Sequence, residues 1–148
     1  MKKGVSLKIC IFIILSLISF TIEHTILTSQ KTCNKKNIIL ANLVSLLHNF
    51  GSIYLSFGSL LFGHYILHLI MLIIVFILWY LSNKFYKNLA GCVITQIYNN
   101  LCGFDKSRHF HDIHYYIFNT IFGVKNFSVL LIIGIGLYDL YHIFFKFF

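Results

Sequence analysis

Residues 38–81 read IILANLVSLLHNFGSIYLSFGSLLFGHYILHLIMLIIVFILWYL, and this stretch decides the fold. From Ile38 to Gly63 no charged side chain occurs in 26 positions. At 1.5 Å per residue a helix of that length reaches about 39 Å. A hydrocarbon core of about 30 Å is crossed with some tilt. Ile66 to Leu81 is a second dense apolar run, closed by Trp79 and Tyr80, whose amphipathic rings prefer the headgroup level. The junction Phe62–Tyr65 carries no charge, so it reads as a tight hairpin in which Gly63 supplies the turn.

Outward from this pair the pattern continues. Phe127 to Phe145 forms a third apolar helix, ended by Lys146. At the start, Lys2, Lys3 and Lys8 precede an uncharged stretch from Ile9 to Ile22, closed by Glu23 and His24. A basic region before a short apolar core outlines a secretory signal peptide, yet no A-x-A-like cleavage site follows. Residues 1–27 therefore read either as a cleaved signal or as a retained membrane anchor, and residues 28–148 as one membrane-embedded helical domain. In the 83–125 connection, Leu89, Val93, Ile97 and Leu101 recur every four residues and Gly103 follows, which predicts an amphipathic helix with a glycine stop. His111, His114, Phe118 and Phe122 predict a second short helix lying at the interface. The expected fold is an all-α integral membrane bundle with spans near 38–62, 64–82 and 127–145.

Composition agrees. Hydrophobic residues make up 58% and charged residues 11% of 148, and the mean hydropathy is +0.82. A soluble domain typically carries about 25% charged residues, so this chain cannot coat a globule in water. That excludes a soluble enzyme, a disordered tail and a disulfide-stapled secreted module. The net charge of +8 does not point to nucleic acid, because the lysines flank apolar runs instead of forming one stripe. The expected partners are the lipid bilayer, other membrane subunits or a second copy. Orientation is contested between two signals. Lys2, Lys3 and Lys8 argue for a cytoplasmic N-terminus. Four spans would then put Lys31, Lys35, Lys36, Lys84, Lys87, Lys106, Arg108 and Lys125 outside, against the positive-inside rule. The lysine balance favours the opposite arrangement.

Chemistry-bearing residues are few. Asn42, Ser45, Asn49, Ser52, Ser56, Ser59 and Gly63 step by three or four, a face on which small and polar residues allow close helix packing. Asp139 lies near the middle of the last span, where an aspartate costs about 2.5–3.5 kcal/mol on insertion scales. The twelve Leu, Ile, Val and Phe residues between Phe127 and Phe145 return about 4–7 kcal/mol, so the helix still inserts, but the acid needs a partner. His142 is one turn away on the same face, and His48, His64 and His68 can reach it from other helices. His64 and His68, four apart, share a face, a spacing that suits two metal ligands or one haem ligand with a neighbour. No catalytic nucleophile–base–orienter set can be assembled. No metal site is expected: His109, His111 and His114 do not share one helix face, and no His-His pair of a di-iron box occurs. Of the four cysteines, Cys92 and Cys102 are ten apart, about 15 Å on a continuous helix, too far to pair. Cys33 can meet either of them on an oxidising side, or all three stay free. Asn126-Phe127-Ser128 matches a glycosylation acceptor, but it abuts the membrane.

The order His48, Gly58, His64 and His68-Leu69, Trp79, Cys92-Val93-Ile94-Thr95, Asn99, Leu101, Phe110 and His114 resembles a family of small bacterial inner-membrane proteins without an assigned activity. Its pattern runs His, Gly, His-Leu, Trp, Cys-Pro-Leu-Thr, Glu, Leu, then Phe-Ile-x-x-His, and similar short proteins occur among large DNA viruses. The likeness covers about residues 40–146. Val93 stands where that pattern has proline, and Tyr98 or Asn99 where it has glutamate. The resemblance implies a fold and no activity. The expected function is that of a structural or interaction component of a membrane assembly. The alternative is a subunit that binds haem b through His48, His64, His68 or His142, or that handles protons with Asp139.

Overall fold

The computed structural model describes residues 2–28, 33, 35–85, 92–105, 113–114, 116–117, 123 and 127–147. Five α-helices are formed among them: α1 (Lys2–Thr28), α2 (Ile38–Phe62), α3 (Tyr65–Phe85), α4 (Val93–Cys102) and α5 (Phe127–Phe147). The fold is all-helical, and four helices are long and apolar enough to cross a membrane, over Gly4–Thr25, Ile38–Phe62, Tyr65–Ser82 and Val129–Lys146. The hairpin between α2 and α3 is as tight as the sequence requires. Gly63 takes φ 70°, a left-handed conformation, and its N–H donates to the Ser59 carbonyl.

The distribution of polarity is the reverse of that in a water-soluble domain. Among the described residues, six buried side chains are hydrophobic, whereas thirteen buried ones are polar or charged, including Glu23, Asn49, His68, Asn99, His114 and Asp139. The outside carries the large hydrophobics: Ile39, Leu130, Leu137 and Phe145 are more than half exposed. A water-soluble core has the reverse arrangement. An interior more polar than its surface is what a chain forms when hydrocarbon meets its outer face and helices adhere through small and hydrogen-bonding residues.

Packing follows this rule at each contact. α1 lies along α2, with Ser16, Ser19 and Glu23 turned inward and Ser19 donating to Asn49 Oδ1 at 2.5 Å. The inward face of α2 is the one its spacing marks: Ser45, Asn49, Ser56 and Ser59 are all buried, and Ser52 is half-buried. α5 packs against α3 and α2.

α4 ends at Gly103, whose φ is 68°, as the sequence predicts. Its buried side is polar, with Thr95, Tyr98, Asn99 and Cys102 against α2, while Val93 and Ile97 are exposed. Ala41, Tyr98 and Cys102 form one cluster, and Cys92 faces His48. The helix therefore runs antiparallel to α2, and its N-terminus lies about 15 Å past the start of α2. The chain also returns inward further on. The Ile113 N–H donates to Ser19 Oγ at 3.1 Å, and His114 lies 3.4 Å from Ser52 Oγ and stacks on Phe57. Most of the second short helix expected over residues 111–122 lies outside the described residues, as do Leu89, His109, His111 and Asn126.

Candidate functional site

Asp139 finds its partner in His68. The carboxylate Oδ2 lies 2.5 Å from His68 Nδ1, and both side chains are completely buried. The second ring nitrogen, Nε2, is 3.0 Å from the Tyr54 carbonyl oxygen. Because a carbonyl only accepts, Nε2 must carry a hydrogen. One further proton then lies between Nδ1 and Oδ2, giving either imidazolium with carboxylate or imidazole with carboxylic acid. The pair is neutral in total in both forms, which is how the acid enters an apolar bundle without an uncompensated charge. Its other oxygen, Oδ1, has no hydrogen-bond partner among the described residues.

Three helices build this site. α3 supplies His68 in its first turns, α5 supplies Asp139 at its middle, and α2 supplies the Tyr54 carbonyl and the space. Gly58 creates that space. A Cβ there would sit 2.8 Å from the Tyr54 ring and 3.1 Å from His68 Cδ2. The Tyr54 and His68 rings are 5.4 Å apart.

The other candidates are dispersed. His142, expected as a partner for Asp139, instead stacks in parallel on Tyr65 with ring centroids 4.6 Å apart, and Tyr138 meets it edge-on at 4.4 Å. His64 precedes α3 and is exposed, so its i, i+4 relation to His68 does not produce a shared ligand pair. His64 and His142 do line one open cleft of about 430 Å³, together with Gly63, Tyr65, Ile66, Leu67, Ile143 and Lys146. His48 is elsewhere, with Nδ1 3.9 Å from Cys92 Sγ at the N-terminus of α4. Burial raises the Cys92 thiol, but His48 and the N–H groups of Thr95 and Ile94 outweigh it and bring it down to about 7. No group of three or more metal-ligating side chains occurs among the described residues.

Cys33 and Cys102 form a disulfide with Cα atoms 4.4 Å apart, across 69 residues of chain. It joins the segment before α2 to the end of α4, and the Asn37 side chain donates to the Leu101 carbonyl at 3.1 Å beside it. Spacing leaves Cys33 with either partner, or three free thiols. Only packing selected Cys102, because α4 runs outward from Cys92. The contact of Cys92 with His48, like the use of the Tyr54 carbonyl, had no signal in the sequence.

No protein-family model, curated protein or solved structure matches this chain.

Proposed function

We propose that this chain is a multi-pass membrane protein that serves as a structural or interaction component of a membrane assembly. The observation that carries this reading is that both ring nitrogens of His68 are occupied, by Asp139 and by the Tyr54 carbonyl. A histidine so held does the work of a cross-link between helices and has no lone pair for haem or metal. Ser19 with Asn49, and Asn49 with the Ser45 carbonyl, add links of the same kind. The residues that resemble the small inner-membrane family also meet one another: Gly58 with His68, and His48 with Cys92. This supports reading these positions as packing contacts in this chain.

The test is a mutational cycle in detergent. Breaking a buried pair by removing one partner costs about 3–5 kcal/mol, whereas replacing both by apolar residues of similar size is often neutral. His68→Leu and Asp139→Leu alone should each lower the unfolding midpoint sharply, and the double variant should recover most of the loss. A double variant as unstable as the singles would overturn the cross-link role. A Soret band in the purified protein, lost on replacing His48, His64 or His142, would establish haem binding instead.

A second reading, proton handling, is favoured by Asp139 Oδ1, which has no partner among the described residues. It requires proton flux into dye-loaded proteoliposomes that disappears in Asp139→Asn. Equal flux in both proteins removes it.

A further inference from the structure

The cleft at the hairpin end of the bundle joins basic side chains to an apolar wall. Its polar lining is His64, Tyr65, His142 and Lys146, with no carboxylate among the described residues that form it. Its walls are Ile66, Leu67 and Ile143, continuous with an outer face on which Ile66, Leu67, Phe144 and Phe145 are exposed. α3 begins in the cleft without an acidic residue in its first turn, which leaves the positive end of its dipole uncompensated. Basic groups at one end of an apolar trough are complementary to a phosphate diester carrying acyl chains.

The end of the bundle to which the cleft belongs points the same way. Phe12 packs edge-on against Phe62 and Tyr54, so the first turns of α1, which carry Lys2, Lys3 and Lys8, belong to the hairpin end. The Cys33–Cys102 bond sits at the opposite end. Disulfides persist in oxidising compartments, which leaves the hairpin end on the cytoplasmic side, where the leaflet bears anionic lipid.

We infer that this cleft is a headgroup site for an anionic glycerophospholipid of the leaflet at the hairpin end. Lys146, His64 and His142 hold the phosphate, and the Ile66–Leu67–Ile143 wall takes the acyl chain. The inference rests on the multi-pass reading above.

Native mass spectrometry of the full chain in detergent tests it, with phosphatidylglycerol and phosphatidylcholine supplied at equal concentration. Wild-type protein should retain one phosphatidylglycerol in preference to phosphatidylcholine. Removing the Lys146 charge should weaken retention about fivefold, as expected for about 1 kcal/mol per lysine near anionic lipid. Lys146→Gln is the first variant, since its exposed side chain leaves the bundle intact, and Lys146→Arg should keep the lipid. His64→Gln combined with Lys146→Gln should abolish the preference. Equal retention of the two lipids by the wild type, or unchanged retention in the double variant, overturns the site. Displacement of the lipid by millimolar inorganic phosphate also overturns it, because the occupant would then be a soluble anion. Failure of the multi-pass reading is separately visible: the chain would stay monomeric in buffer without detergent.

Discussion

At the scale of the residue, Asp139 shows how a bundle hosts an acid. Insertion scales make it expensive and its neighbours make it tolerable, but the structure resolves the cost by pairing it with a histidine whose remaining nitrogen is already bonded. The sequence marked Asp139 as needing a partner and named four histidines that could serve. It could not choose among them, because one turn along the same helix brings His142 close in sequence while stacking on Tyr65 turns that ring away. Gly58 is where this arrangement is most sensitive. Gly58→Ala should destabilise the protein by about 1–3 kcal/mol, the usual cost of overpacking, through the contact with Tyr54 and His68. Gly51→Ala, on the same helix with no atom within 4 Å of its Cβ, should not. Unfolding midpoints of the two variants in one detergent provide the comparison, and equal midpoints would remove the role given to Gly58.

At the scale of the element, the spans were legible and the connection was not. Runs such as Ile38–Phe62 declare themselves by length and lack of charge, since no other conformation hides so much apolar surface. The three-four stripe on α2 likewise named the face that is buried. The 83–125 segment is mixed in polarity, and its amphipathic period gives a helix without saying what its polar side meets. Here that side meets α2, through Thr95, Asn99 and Cys102. α1 was left between signal and anchor, because its sequence offers both. Its inward Ser19 is bonded to Asn49 and accepts from the Ile113 N–H, so loss of α1 would strip partners from two other segments. Purified protein is therefore expected to keep α1, with an intact mass near 17.3 kDa. A mass lacking the first 27 residues or so would show that the helix is removed.

At the scale of the whole molecule, the disulfide and the lysines oppose each other. The bond between Cys33 and Cys102 joins the segment before α2 to the end of α4, and such a bond persists in an oxidising compartment. The positive-inside rule favours the reverse. The first helix usually dominates orientation, and here it has three lysines on each flank, so the later bias decides nothing by itself. We expect Cys33 and Cys102, once reduced by a membrane-impermeant phosphine, to react with an impermeant maleimide in intact cells. Labelling only after permeabilisation would reverse the orientation, and with it the leaflet of the lipid site. The sequence by itself determined that the chain is helical, where its spans lie and which face of α2 turns inward, because those follow from periodicity and the transfer of apolar surface. The tertiary structure alone decided which histidine meets Asp139, which cysteine meets Cys33 and how α4 lies against α2. Such pairings depend on the relative rotation and height of neighbouring helices, and side-chain spacing along one helix carries no record of either.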